Sequence, residues 1–415
     1  MKKKNLFVLN YTEMKISDAP EPKEVILPLQ GFDSKKDRSR IKEGTPVLTG
    51  EALLPGLFST VTGTVKGIEP LLLANVGKGN GSVTAVRIEV SGKEEFDPAV
   101  KQEPDFLEKE PFDVLEKLNR ANLGFIEDFN EIKGVKTVVV SAVDPDPFQW
   151  VSQQVLREEK ETVIEGLKLV RHLTSAERVV LAVPEPLADV AADAAKAGNW
   201  LEIYKVKPRY PNGLPEILIR DMSDIYDLDS HLFLSVEKLA ASVKALIEGK
   251  PFAHKVVSVT DKEGTANFKV RIGTPLKDLL ELKSCHLKDD DKVIIGGPMR
   301  GYTCFDTDIP VTADIDSIYV QHADSDEMIH YWNNQCMNCG KCVRVCPVNL
   351  DVNLICRYSE FSLFETCHEM GIMACIECGL CAYHCPSGRS LVQFIRLAKN
   401  ELPAADIIKN GEKVT

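Results

Sequence analysis

No run of this 415-residue chain reaches the roughly twenty consecutive apolar residues that a membrane-spanning helix needs. No direct membrane span is expected, and any peripheral attachment would come through a partner. A basic excess is also missing. Lysine and arginine number 50 against 62 aspartates and glutamates, a formal net charge of -12, which argues against nucleic acid as a partner. The N-terminus, Met1-Lys-Lys-Lys-Asn-Leu-Phe-Val-Leu, opens like a secretion signal, but its apolar run stops within a few residues and no small-residue cleavage site follows. What remains is an ordinary soluble composition, 44% apolar and 27% charged, in a chain long enough for about two to four domains.

Against that background the cysteines stand out. Eight of the twelve fall in two copies of C-x2-C-x2-C-x3-C-P: Cys336, Cys339, Cys342, Cys346 and Pro347, then Cys375, Cys378, Cys381, Cys385 and Pro386. Soft thiolates at this spacing suit iron in cubane clusters. Three sulfurs of each run close around one cluster, and the fourth reaches the other cluster of the pair. Ligation is therefore expected to cross. Cys336, Cys339, Cys342 and Cys385 hold one [4Fe-4S] cluster, and Cys375, Cys378, Cys381 and Cys346 the second. The competing assignments are a structural zinc site, which takes four thiolates per metal without the third C-x2 step, and disulfides of a secreted domain. Thiols in this number point instead to a reducing compartment, the cytoplasm of an anaerobe or facultative anaerobe. Cys356 and Cys367 lie between the runs on a stretch that reads helical, Leu354 to Met370, and are expected to be buried small hydrophobes. Cys285 and Cys304 have no partner at metal spacing.

The rest of the chain changes texture three times. Residues 1–98 end in a β-rich block with short β-branched runs punctuated by glycine and proline, as in Ser59-Thr-Val-Thr-Gly63. It is similar to the barrel-sandwich fold of lipoyl and biotinyl carriers, without their modified lysine. Residues 99–250 carry buried-strand signatures at Gly134–Ala142, Arg178–Val183 and Leu201–Val206, with an amphipathic stretch from Val155 to Leu173 and a last helix near Ser235 to Ile247. Strands alternating with helices predict a doubly wound, Rossmann-like α/β domain. Residues 251–325 return to strands, Lys255–Thr260, Asn267–Ile272, Asp291–Ile295 and Ser317–Val320, around one helix from Pro275 to Leu282 and a tight Gly296-Gly-Pro-Met299 turn. That order predicts a β-grasp (SLBB) module. Residues 326–400 form a helical, two-cluster ferredoxin-like domain, and 401–415 a tail. The expected fold class is multidomain, α+β and α/β.

In this order the modules resemble the C subunit of the Rnf ferredoxin-NAD oxidoreductase, over nearly the whole chain. The resemblance is carried by Ile272-Gly-Thr-Pro-Leu-Lys-Asp-Leu-Leu280, Gly296-Gly-Pro-Met299, and Cys375-Ile-Glu-Cys-Gly-Leu-Cys381 through Leu391–Leu397. The electron-transfer protein accompanying proline reductase is a relative. NADH-oxidising members carry a Gly-Gly-Ala-Gly-Phe-Pro-Thr loop whose bare backbone approaches the FMN phosphate. The equivalent stretch here is Arg120-Ala-Asn-Leu-Gly124-Phe-Ile-Glu-Asp-Phe129, with one glycine left and Glu127 and Asp128 within it. Carboxylates facing a phosphate are repulsive. The acidic strand-end motif persists as Asp144-Pro-Asp146-Pro-Phe148 and reads as a solvated turn. FMN and NADH binding are not expected.

The resemblance and the cysteine runs together imply an iron-sulfur electron-transfer subunit. It would relay electrons between a low-potential or flavin donor and a partner oxidoreductase or flavoprotein. No catalytic residue is assigned. Lys341, Arg344 and Arg389 beside the cluster loops either attract an acidic donor such as ferredoxin or flavodoxin, or are plain solvated charges. The alternative is an NAD(P)H-oxidising FMN and iron-sulfur flavoenzyme, which flavin in the purified protein would reveal.

Overall fold

The computed structural model describes residues 9, 13–29, 41–72, 82–121, 135–222, 231–323 and 334–402. The chain divides into two units, residues 1–298 with 302–323, and residues 299–301 with 324–415. The architecture is mixed α/β and multidomain.

Runs of β-branched residues set the central sheet of the larger unit. Thr137–Ser141 and Arg178–Pro184 are buried along nearly their whole length and pair in parallel. Such continuous apolar runs belong to strands covered on both faces. Leu201–Val206 adds outside one of them and His231–Ser235 outside the other, completing a four-stranded, all-parallel sheet. Helices Lys160–Thr174 and Val236–Glu248 bury Leu167, Val170, Leu239 and Val243 in the same core as Val138 and Val140. The second of these starts where the Ser235 hydroxyl accepts the Lys238 N–H at 3.2 Å.

Two further sheets complete this unit. Glu24–Pro28, Ser82–Val90, Gly63–Leu72 and Pro46–Val47 form an antiparallel sheet around Val25, Leu27, Val65 and Ile88. A mixed six-stranded sheet runs in the order Ile16–Asp18, Gly264–Arg271, His254–Asp261, Ser317–Gln321, Lys292–Ile295, Tyr302–Cys304, with helix Leu276–Leu282 packed on it. Ile16–Asp18 pairs in parallel with Asn267–Lys269, so these three residues are built into a sheet that the sequence assigns to residues 251–325. Side chains tie these parts together. Arg271, almost fully buried, makes two bonds of 2.6 and 2.7 Å to Glu21, one of 2.8 Å to Glu94 and one of 2.7 Å to the Thr60 carbonyl. The Ser258 hydroxyl accepts the Trp150 N–H and donates to Asn267, which donates in turn to the carbonyls of Met14 and Trp150.

The smaller unit is helical: Lys341–Arg344, Val352–Glu360, Phe364–Glu369, Leu380–Tyr383 and Leu391–Glu401 surround Leu350, Ile355, Ile372 and Ile395. Two expected helices are broken. Val155 to Leu173 is split at Glu159, the C-cap of Val151–Glu158, whose carboxylate is held by Lys244 at 2.5 Å. Leu354 to Met370 is split at Ser362, a left-handed residue at φ 58°. That turn lets the two short helices fold back so that Cys356 and Cys367 enter one core. Strand His231–Ser235, strand Tyr302–Cys304 and helices Pro111–Arg120 and Pro215–Met222 are not read from sequence. All are short, although the two helices bury apolar faces, Val114, Leu115 and Leu118 in one and Ile217, Leu218 and Ile219 in the other.

Candidate metal centre

The two cysteine runs bend in the same way at matching points. Asn338 and Glu377, both at φ 52°, precede the second cysteine of each run. Gly340 at φ 67° and Gly379 at φ 76° follow it, and Asn349 at φ 56° and Gly388 at φ 62° lie beyond the closing Cys-Pro. Each glycine opens a four-residue helix, Lys341–Arg344 or Leu380–Tyr383, that carries the third cysteine. Left-handed residues at these points turn the chain tightly enough to bring cysteines three apart to one side.

Cys336, Cys339, Cys342 and Cys385 line one cavity, together with Met337 and Arg389. All twelve cysteines are free thiols. Burial pushes the Cys342 and Cys375 thiols up, and Cys378 up to about 11, with neighbouring cysteines adding repulsion. Cys346 stands close enough to Cys375, Cys378 and Cys381 for its charge to add to the effect of burial on each of them. Sulfurs gathered this way ionise together only with positive charge among them, which iron supplies. The donor set therefore fits an iron-sulfur cluster. Among the described residues no three His, Cys, Asp or Glu side chains converge on a single metal ion. A cubane asks for a different set, because each thiolate binds its own iron. The Leu350 and Glu377 N–H groups donate to the sulfurs of Cys346 and Cys375, both at 3.4 Å, the kind of bond that tunes a cluster.

The surroundings of the two loops differ. A Cβ on Gly379 would meet the Met299 carbonyl oxygen at 2.4 Å, whereas one on Gly340 would find only the tip of Arg344, at 3.4 Å. Arg396 donates to the Arg300 carbonyl at 2.7 Å and to Glu377 at 2.8 Å, and Lys399 donates to the Cys375 carbonyl at 2.7 Å. The Glu377 carboxylate, held by both cations, lies below the usual carboxylate range although burial opposes this. On the other loop Met337 is 63% exposed, and Lys341 and Arg344 are exposed too. Arg389 departs from its expected place among the solvent charges. It is buried, donates to Glu360 at 2.6 Å and lies over the Phe394 ring.

The remaining predicted positions fall elsewhere. Cys356 and Cys367 are buried and donate to the carbonyls of Leu391 and Ile355, each at 3.4 Å. Cys285 donates to Asp261 at 3.2 Å, and burial pushes its thiol up to about 12. Cys304 is buried in strand Tyr302–Cys304. Of the stretch Arg120–Phe129 only Arg120 and Ala121 lie within the described residues. Asp144 and Asp146 correct the expectation of a solvated turn, since both are buried. Asp144 accepts the N–H groups of Ser152 at 2.7 Å and Gln153 at 3.3 Å, so its carboxylate sits at the start of helix Val151–Glu158. Burial nevertheless pushes its pKa up to about 7. Gly297, at φ 88°, packs on Asp146 so closely that a Cβ would stand 2.3 Å from the carboxyl carbon.

A family model described as the Nuo51 FMN-binding domain matches residues 125–231, and one described as a 4Fe-4S dicluster domain matches residues 328–386. The C subunit of the Na(+)-translocating ferredoxin:NAD(+) oxidoreductase complex of Acetobacterium woodii is 28% identical over 422 residues, covering 94% of each chain. The chain is similar to the C subunit of this complex over nearly its whole length. The C subunit of the ion-translocating oxidoreductase complex of Yersinia pseudotuberculosis serotype O:3 is 27% identical over 417 residues, which are 94% of this chain and 59% of that protein. The chain thus spans little more than half of the Yersinia relative. Among solved structures, an NAD+-reducing NiFe-hydrogenase in its H2-reduced state overlaps 74% of this chain and 67% of its own at a TM-score of 0.43 and 12% identity. The FMN-binding match leaves the expectation that FMN is absent without support.

Proposed function

We propose that this chain relays electrons, one at a time, through two [4Fe-4S] clusters between a low-potential or flavin donor and a partner oxidoreductase. Cys336, Cys339, Cys342 and Cys385 hold one cluster; Cys375, Cys378, Cys381 and Cys346 hold the other. The observation that carries this reading is the cavity that Cys385 shares with the three thiols of the other run, supported by the dicluster match over 328–386. The modules are a barrel-sandwich at 1–98, a flavoprotein-like α/β domain at 99–250, a β-grasp at 251–325 with Ile16–Asp18 added as an edge strand, and a ferredoxin-like domain at 326–400. The chain works within an oxidoreductase complex, at the membrane surface through its partners. The cluster of Cys336 faces outward, where Lys341 and Arg344 favour an acidic electron carrier.

Anaerobically purified protein is expected to hold about eight iron and eight sulfide per chain. Iron near four, or zinc in its place, overturns the proposal. Cys346→Ser is expected to alter the EPR signal that Cys375→Ser alters, and an effect on the Cys336 cluster instead would refute the crossed ligation.

A second reading, an FMN-containing flavoenzyme, is favoured by the match over residues 125–231 and by the buried Asp144 and Asp146 beside the Gly296-Gly297 turn. These residues follow the carboxyl end of strand Thr137–Ser141, next to the strand-order reversal where α/β sheets bind ligands. Acid extraction separates the two: the relay releases no flavin, and the flavoenzyme about one FMN per chain.

A further inference from the structure

We infer that the buried Arg389–Glu360 pair sets the reduction potential of the cluster held by Cys336, Cys339, Cys342 and Cys385. The guanidinium raises that potential and the carboxylate limits the rise. The inference rests on the two-cluster reading above and adds to it a difference between the clusters.

The two cysteine runs match in their left-handed turns, their short helices and their closing Cys-Pro, so a position where they part is informative. Directly after the last left-handed residue, Asn349 in one copy and Gly388 in the other, the first run places Leu350 and the second Arg389. Both are buried, at 7% and 6% exposure. One copy thus sets an apolar side chain where the other sets a permanent cation. Arg389 lines the cavity of Cys336, Cys339, Cys342 and Cys385.

Its guanidinium is held from several sides. It donates to the Glu360 carboxylate at 2.6 Å and toward the Asn334 carbonyl at 3.5 Å, and lies 5.6 Å from the centre of the Phe394 ring. The Arg389 side chain is 7% exposed and that of Glu360 29%, so water screens the carboxylate better than the guanidinium. Glu360 does not line the cavity. Reduction adds one electron to the cluster, with no bond made or broken, and the electron comes from the low-potential donor of the relay. The site becomes more negative by one charge, and a fixed cation in a poorly hydrated wall favours that form. On the other loop, Glu377, Arg396 and Lys399 satisfy one another and nearby carbonyls.

The test is an EPR-monitored redox titration of the full chain, purified anaerobically, with iron counted in each sample. Arg389→Leu is expected to lower the midpoint of one cluster, the one whose signal Cys339→Ser also alters. The reduction equilibrium should fall about tenfold, which is about 59 mV for one electron. Glu360→Gln is expected to shift the same cluster upward, and Arg389→Lys to lie between wild type and Arg389→Leu. Midpoints that stay put in iron-replete variants, or that move the same way in Arg389→Leu and Glu360→Gln, overturn the inference while leaving the relay intact. Should Arg389→Leu fail to retain iron, the Glu360→Gln shift decides alone: a rise supports the inference and no change overturns it. A wild type without about eight iron overturns the relay reading and this inference with it.

Discussion

Asp144 shows how far a single residue can depart from its sequence context. Followed by Pro145, Asp146 and Pro147, it has the local chemistry of a surface turn, yet it is buried at the start of a helix with its pKa pushed up to about 7. A folded-state value above the ordinary 3.8 means that the folded form is favoured while the carboxyl is protonated. That advantage is complete below about pH 4 and is lost as the pH rises toward 7. Asp144→Asn keeps an acceptor for the Ser152 N–H and removes the ionisation. It is expected to match wild type near pH 4 and to exceed it at pH 7.5, by up to about 4 kcal/mol. Urea midpoints at the two pH values, read by tryptophan fluorescence, check this; an equal difference at both would refute it. Cys356 and Cys367 follow the opposite course, since small apolar surroundings were legible in the helical stretch that carries them.

At the scale of the element, the turns of the two cysteine loops were readable because cysteine spacing and turn chemistry coincide in them. Which of the two glycines tolerates a side chain was not. Gly340 and Gly379 share a left-handed backbone, which costs about 1–2 kcal/mol for an L residue. Only at Gly379 does a Cβ also run into backbone, the Met299 carbonyl. Gly340→Ala is therefore expected to keep both clusters at a cost of about 1 kcal/mol, and Gly379→Ala to lose the iron held by Cys375, Cys378 and Cys381. Iron per chain and the two EPR signals measure the difference, and equal iron in the two variants would contradict it. The broken helices make the same point. Nothing in Glu159 or Ser362 announces a break; in the fold Glu159 is held by Lys244 and Ser362 takes a left-handed backbone.

For the whole molecule, the sheets of the larger unit are joined by polar side chains of distant origin. Arg271 gathers Glu21, Glu94 and the Thr60 carbonyl, all from the N-terminal region, onto strand Gly264–Arg271. Arg271→Met removes these charge-assisted bonds and leaves the carbonyl in a buried position. The expected loss is about 3 kcal/mol. It should appear first as faster proteolysis within residues 41–98, before the α/β core yields. Cleavage that begins in the α/β core would show that the joint lies elsewhere.

The sequence by itself determined the spacing of the two cysteine runs, the α/β alternation and most strand positions. These depend on contacts between near neighbours: thiols three apart, β-branched runs buried on both faces, glycines at tight turns. Only the tertiary structure decided that Ile16–Asp18 completes a distant sheet, that Asp144 and Asp146 are buried, and that Arg389 lines the cavity of Cys336 instead of meeting solvent. The strand is set by a partner far away in the chain, and the burial of a charge is a property of everything packed around it, which no local pattern encodes.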